Sequence, residues 1–284
     1  MTTRTFGTAV LLALSLVFLA GSPARAQDAP MSIDGARTVN AQPCIFLVDY
    51  ACAIAAREIT GQPVFAAGFS LGEMAAAAFS GLLSFEDAFR LVVRRAELMQ
   101  DAAQKHPGAM FALVKLPADK VNEICRGLNE AYPVNFSAPG QTVVACARET
   151  ADALVAAARA AGGRAIRLNV SGAFHSPYMR PATEGMRTAL AETMFGSPAI
   201  PLYSNLTAQP YRAGEEVETL SRQISSPVRW QETVEHMIAE GARLFIEVGP
   251  GNTLSGLIQK IDPHVEAIPV GGLEGLAALK GRFS

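Results

Sequence analysis

A serine between two glycines is the first place where this sequence could do chemistry. Val64-Phe-Ala-Ala-Gly68-Phe69-Ser70-Leu71-Gly72-Glu73 leads a short apolar run through G-x-S-x-G into an alanine-rich segment. This is the nucleophile-elbow spacing, a tight strand-to-helix turn that lifts the serine above a sheet. Glycines belong beside the serine because side chains would clash in so tight a turn. A helix starting behind it aims free N–H groups and a positive dipole end at developing negative charge. Glu73 suits the first turn of that helix. A plain glycine turn before a core helix would leave the same pattern, so the elbow needs partners to acquire meaning.

The first partner is a base. The chain has four histidines. His106 precedes a proline in a loop, His236 lies on a helix between Glu232 and Glu240, and His264 follows Pro263 near the end. His175 stands apart in Ser171-Gly-Ala-Phe174-His175-Ser-Pro177, a small-residue loop after a strand, where a side chain can reach a cleft. A loop histidine is commonly surface decoration; beside an elbow serine, elimination favours His175 as the base. The second candidate is Arg95. Along Ser84 to Gln104, Arg90, Arg94, Glu97 and Asp101 share a polar helical face, and Ala88, Leu91, Val92 and Met99 an apolar one. Arg95 falls on the apolar side, where a guanidinium must find an anion. Periodicity leaves two readings open, a structural salt bridge or a pocket for a carboxylate.

The elements that must hold these residues follow an α/β order. Gln42 to Arg57 reads as a buried helix, Val64 to Ala67 as a strand and Met74 to Phe79 as a helix. Ser84 opens the next helix, with Asp87 as its capping-box partner. Then come a strand (Ala109 to Lys115), a helix (Pro117 to Asn129) and a hairpin (Val134 to Ser137 and Val143 to Ala147 about Pro139-Gly140). A helix (Glu149 to Ala161) and a strand (Arg164 to Val170) complete the set. That order, βαββαβ, is the split arrangement of ferredoxin-like domains, inserted at 108–170 into a core of 40–107 and 171–284. Met186 to Met194 and Val228 to Glu240 read as helices. Ile200 to Ser204, ending at Asn205, and Leu244 to Val248 read as strands. Gly249-Pro250-Gly251-Asn252 breaks the chain before a last helix, Thr253 to Lys260. Alternating strands and helices predict a mostly parallel sheet covered on both faces, with a site at the carboxyl ends of its strands. Ser70, Asn205 and the Gly249 loop all follow such ends.

Composition bounds the function. Half of the 284 residues are hydrophobic and the net charge is −2, so there is no basic field for nucleic acid. Cys44, Cys52, Cys125 and Cys146 form no C-x-x-C pair and no metal-like spacing, and read as small apolar groups. No metal or bound cofactor is implied. Met1 to Pro30 is set aside: Arg4, the apolar run Ala9 to Ala20 and Ala24-Arg25-Ala26 have the form of a secretory signal peptide, a reading set ahead of the plainer one, a buried helix or strand. The run is too short for a membrane span, and no membrane is expected for the mature domain.

Several ordered motifs resemble one family. Gly68-Phe-Ser70-Leu-Gly-Glu73, Arg95-x-x-x-Met99-Gln100, Asn135-x-Ser137-x-Pro139-Gly140-Gln141 and Ser171-Gly-Ala-Phe-His175-Ser are similar to the malonyl-CoA:acyl carrier protein transacylases and to acyltransferase domains of polyketide synthases. Gln223-x-x-x-Pro227-Val-x-Trp230 and Glu247-Val-Gly-Pro-Gly251 extend the likeness over Asn40 to Ile261. The resemblance implies a hydrolase-like α/β core and a cytoplasmic enzyme, expected to be monomeric, with malonyl-CoA and acyl carrier protein as its partners. It implies Ser70 as nucleophile, His175 as general base, the Leu71 N–H as an oxyanion donor and Arg95 as the binder of the malonyl carboxylate. A backbone carbonyl near Gln223 would orient the histidine in place of an aspartate. Phe174 resembles the malonyl-preferring form of the histidine loop.

Two departures stand out. The family opens with a strand and a Phe-Pro-Gly-Gln-Gly-type loop whose glutamine helps form the oxyanion hole; here the signal-like segment occupies that place, so one strand and one donor are expected to be missing. Phe69 replaces a usual histidine. A wrong start site or a truncated gene would account for the missing opening and for the conflict with a cytoplasmic pathway, an exported relative only for the latter. The alternatives are a truncated or degenerate acyltransferase that binds carrier protein without turnover, and a serine esterase or thioesterase. The last should place an acid before a late histidine and leaves Arg95 without a role. Acidic carrier helices would suit Arg90, Arg94, Arg164 and Arg167, which otherwise read as solvated charge.

Overall fold

Two four-stranded sheets organise the chain. The computed structural model describes residues 9–13, 38–170 and 172–284. In order, the elements are β1 (Ala9–Ala13), α1 (Thr38–Thr60), β2 (Phe65–Gly68), α2 (Gly72–Ser80), α3 (Phe85–Lys105), β3 (Gly108–Val114), α4 (Ala118–Arg126), β4 (Ala131–Ala138), β5 (Gln141–Ala147), α5 (Ala151–Ala160) and β6 (Arg164–Arg167). There follow α6 (Arg180–Ala191), α7 (Glu216–Gln223), α8 (Trp230–Ala239), β7 (Leu244–Val248), α9 (Thr253–Ile261), β8 (Glu266–Val270) and α10 (Leu273–Phe283).

The larger sheet has the order β2-β1-β7-β8, and its three pairings are parallel. Strands β2 and β7 are buried on both faces, and alternate residues point to opposite sides. Ala66, Leu244, Ile246 and Val248 join the core under α1, α2, α3 and α6. Phe65, Ala67 and Phe245 join a second core with Trp230, Val234 and Leu257 from α8 and α9. The smaller sheet has the order β4-β5-β3-β6 and is antiparallel. Phe111 and Leu113 of β3 face α4 and α5, whereas Met110 and Ala112 pack with Ala173, beside Phe174 and Tyr178. The outer face of the small sheet therefore lies against the histidine loop. The small sheet also joins the segment before α8 through backbone: Phe136 N–H donates to Val228 O at 2.9 Å and Val228 N–H to Val134 O at 2.8 Å.

The structure corrects three sequence expectations. The opening strand is not missing: Ala9–Ala13, from the apolar run set aside as signal-like, lies between β2 and β7 with Val10 opposite Phe65 and Phe245. A short apolar run can fill a doubly covered strand position as well as a signal, so composition alone does not separate the two uses. The rest of Met1 to Pro30, with Ala24-Arg25-Ala26, lies outside the described residues, as does Ser171. Ile200 to Ser204 is not a named strand: one bridge pairs Leu202 with Ala66, held by Ala66 N–H to Pro201 O at 2.9 Å and Tyr203 N–H to Ala66 O at 2.8 Å. Finally, α7, β8 and α10 lie where the sequence predicts no element. The short, charge-rich α7 offers one buried stripe, Thr219, Leu220 and Gln223, too brief to establish a period.

Ser84 caps α3 as the sequence predicts, with Asp87 returning to the Ser84 hydroxyl in place of the backbone N–H of a full capping box. Ser84 Oγ accepts from the Asp87 N–H at 3.0 Å and donates to Asp87 Oδ2 at 2.7 Å. Among the described residues one helix, α1, is long and apolar enough to cross a membrane by length and composition; Phe46, Ala53 and Ala56 of that helix are buried in the core it shares with α2 and α3.

Candidate active site

Ser70 stands on a turn that only glycine at position 68 permits. A Cβ on Gly68 would lie 1.9 Å from the Gly72 carbonyl carbon. Ser70 itself holds φ 56°, in the left-handed region that L-residues visit at a cost. Asn205 clamps the strain from outside: its Nδ2 donates to Gly68 O at 2.6 Å and its Oδ1 accepts from the Ser70 N–H at 2.7 Å. Asn205 follows the short segment that bridges to β2, so the clamp is fixed to the sheet edge.

His175 reaches the serine from the loop after β6. Its φ is also positive, at 60°, and its N–H donates to Ile224 O at 3.1 Å. Nε2 lies 2.7 Å from Ser70 Oγ, and Nδ1 lies 2.9 Å from Gln223 O. A carbonyl can only accept, so Nδ1 carries the proton and Nε2 is left to accept from the serine hydroxyl. Burial, and then the Arg95 charge, push the imidazole down to about 4, so it is neutral at pH 7.

Arg95 is 2 % exposed, on the core face of α3. Nη1 donates to Gln42 Oε1 at 2.6 Å, and Nη2 donates to Gln223 Oε1 at 3.1 Å and to Ser70 Oγ at 3.2 Å. No carboxylate forms an ion pair with it among the described residues. Burial lowers it to about 10, partly offset by the Glu73 charge, so it remains a cation. The salt-bridge reading of Arg95 therefore falls away, and a buried cation faces the nucleophile with neutral amides around it.

Leu71 occupies the N-cap of α2, and no backbone carbonyl among the described residues takes its N–H. Gln223 contributes more than the carbonyl on His175. Its Nε2 donates to Ser70 O at 2.6 Å and to Glu73 Oε2 at 2.9 Å. Glu73 is fully buried and also accepts from the Asn205 N–H at 3.2 Å and from the Tyr211 hydroxyl. Burial pushes its carboxyl up to about 7 against those donors.

The structure brings Ser70, His175, Arg95, Leu71 and Gln223, the residues singled out in the sequence, to one place. It adds four supports that sequence reasoning misses. Gln42 is visible there only as the start of a buried helix, and Asn205 only as a strand end. Glu73 reads as a helix-start charge, and Tyr211 gives no signal. At the Gly249 loop, Glu247 accepts from the N–H groups of Leu254 at 3.0 Å and Ser255 at 2.7 Å, tying β7 to the start of α9. Arg90 and Arg94 pair with Asp87 and Glu97; Arg164 and Arg167 lie exposed on β6. His236 holds Ala208 O at 2.7 Å through Nδ1, and His106 stacks near Tyr178. Cys52, Cys125 and Cys146 are buried and Cys44 is exposed. No cluster of three or more potential metal ligands occurs among the described residues.

An elbow serine hydrogen-bonded to a neutral histidine beside a buried guanidinium is an arrangement able to carry acyl transfer through the serine. The family described as acyl transferase domain matches residues 30–270, and the chain belongs to it. It is 37% identical over 224 residues to the malonyl CoA-acyl carrier protein transacylase of Haemophilus influenzae, covering 77% of this chain and 72% of that one. The protein of the same name from Bacillus subtilis is 36% identical over 249 residues, 86% of this chain and 62% of that one. Among solved structures, a malonyl-transacylase in complex with its type II PKS acyl-carrier protein superposes with a TM-score of 0.86 at 30% identity, covering 96% of this chain and 99% of that one.

Proposed function

We propose that the chain transfers a malonyl group from malonyl-CoA to the phosphopantetheine thiol of acyl carrier protein through an ester on Ser70. The observation that carries this reading is the convergence on one Oγ: His175 Nε2 at 2.7 Å and Arg95 Nη2 at 3.2 Å. As Ser70 attacks the thioester carbonyl, its proton passes to His175 Nε2, and the imidazolium then protonates the sulfur of departing coenzyme A. The Leu71 N–H donates to the oxyanion of the tetrahedral intermediate, aided by the positive end of α2. In the second half His175 takes the proton of the carrier thiol, the thiolate attacks the ester, and the proton returns to Ser70 Oγ. Gln223 O holds the imidazole in the tautomer both halves need. Arg95 pairs with the free malonyl carboxylate through two N–H groups, which selects a diacid over an acetyl thioester.

The thioester enters as substrate and the chemistry needs no bound cofactor. The names and the carrier complex of the relatives support the choice of donor and acceptor, and the same family reading assigns the chain to the cytoplasm. We read the architecture as a hydrolase-like core with a mostly parallel sheet, now including Ala9–Ala13, that carries residues 108–170 as an inserted ferredoxin-like subdomain; the strand order β4-β5-β3-β6 supports this. The test is intact mass after brief incubation with malonyl-CoA. A malonyl adduct in the native chain, absent from Ser70→Ala, is the expected result; an adduct that persists in Ser70→Ala removes the serine from its role.

A further inference from the structure

Glu73 is a buried carboxylate with no part in the steps above, yet its partners hold every group that has one. Gln223 links it to Arg95, to the Ser70 carbonyl and, through its own carbonyl, to His175. Asn205 links it to the elbow on both sides of Ser70. Between Glu73 and Arg95 stands one amide, which accepts from the guanidinium at 3.1 Å and donates to the carboxylate at 2.9 Å. Above about pH 7, where Glu73 is ionised, the free site thus contains one buried cation and one buried anion in series.

A diacid thioester changes that balance. Its carboxylate on Arg95 would add a second anion to a space already holding Glu73, and two anions sharing one buried cation cannot both remain charged without a large penalty. We propose that Glu73 is a positioning residue that supplies the counter-charge of Arg95 in the empty site and takes up a proton when an acyl carboxylate replaces it. This rests on the acyl-transfer reading and deepens it: selection of a diacid would depend on a buried acid that releases the arginine. The donors around Glu73 suit both states, because the Tyr211 hydroxyl can reverse from donor to acceptor when the carboxyl is protonated.

The charged and titratable groups around Glu73 are few. Arg95 of α3 faces it across Gln223. Tyr211 touches it from the loop before α7, with Glu216 of α7 acting on that phenol. His175 lies beyond Arg95 and is already neutral. Arg57 of α1 lies over the Phe79 ring near the C-terminal end of α2. Burial has brought Glu73 to about 7, so a carboxylate arriving next to Arg95 raises it further. The sign follows: the bound state has the higher pKa, so malonyl binds better below pH 7 and more weakly above it.

The test compares malonyl-CoA with acetyl-CoA, whose coenzyme A titrations are common to both. Proton uptake on loading is read with an indicator in weak buffer, and KM is followed from pH 6 to 8.5. At about pH 8, where Glu73 of the free site is ionised, the native chain should take up close to one proton with malonyl and none with acetyl, and its malonyl KM should rise about tenfold over the whole range. In Glu73→Gln the uptake should vanish and the malonyl KM should become independent of pH. Tyr211→Phe, which keeps the acid but loses a donor to it, should move the rise to higher pH. Equal uptake with the two thioesters, uptake that survives Glu73→Gln, or a profile unmoved in both variants overturns the proposal. Absence of an adduct from either thioester overturns the acyl-transfer reading itself, and this inference with it.

Discussion

The site divides into two halves that share Ser70 Oγ and differ in kind. On one side are Ser70 and His175, both at positive φ, meeting at 2.7 Å and ready to exchange a proton. On the other are Gln42, Arg95, Gln223 and Glu73, a chain of donors and acceptors that holds charge still. The first half is strained backbone with little redundancy. The second consists of side chains from α1, α2, α3 and α7, tied to one another by hydrogen bonds. The contrast teaches where tolerance should lie: the reacting pair is set by backbone and fails outright, whereas the charge network fails by degrees and by substrate.

The sharpest break is Ser70→Ala, which should remove covalent labelling by malonyl-CoA altogether, checked by intact mass; loss of one such nucleophile typically lowers rate by about 10⁴-fold or more. Next is Arg95→Ala. Malonyl transfer should fall about hundredfold while acetyl transfer changes little, seen in kcat/KM for the two thioesters, since a charged hydrogen-bonded pair contributes about 2–3 kcal/mol. Equal losses would merge the two halves and make Arg95 structural. Gln42→Ala should have a smaller effect, about tenfold on malonyl alone, because it removes one neutral hold on Nη1 and leaves Gln223 in place. The smallest effect is a shape. A histidine lowered to about 4 remains a base down to that pH, so acetyl loading, free of the malonyl carboxylate, should lose its rate only as pH falls through about 4. An acid limb near the ordinary histidine value of about 6.5 would mean that His175 is solvated in use.

Legibility in the sequence follows the same division. The reacting pair can be read because its constraints are local: two glycines about a serine, and a small-residue loop about a histidine. Arg95 announces itself as a charge on an apolar face, although periodicity cannot say which anion it wants. Glu73, Asn205 and Tyr211 are illegible because their meaning is purely tertiary; Glu73 and Tyr211 stand 138 residues apart and meet only after folding. The strand set is readable wherever an apolar run has one plausible use. It fails at Ala9–Ala13, where a run suited to export also suits the middle of a sheet, and at Ile200 to Ser204, where an apolar run pairs only through isolated bridges, Leu202 with Ala66 and Tyr203 with Pro210.

The position of β1 also fixes a schedule. One neighbour, β2, follows it after a single helix, but the other, β7, begins only at Leu244. During synthesis the strand therefore waits until residues 244–248 have been made before the sheet can close on its far side. Pairings so distant in sequence close slowly, and apolar segments exposed meanwhile are open to other binders. Folding of this protein should be limited by the arrival of β7, and factors that recognise nascent apolar segments have that interval in which to compete.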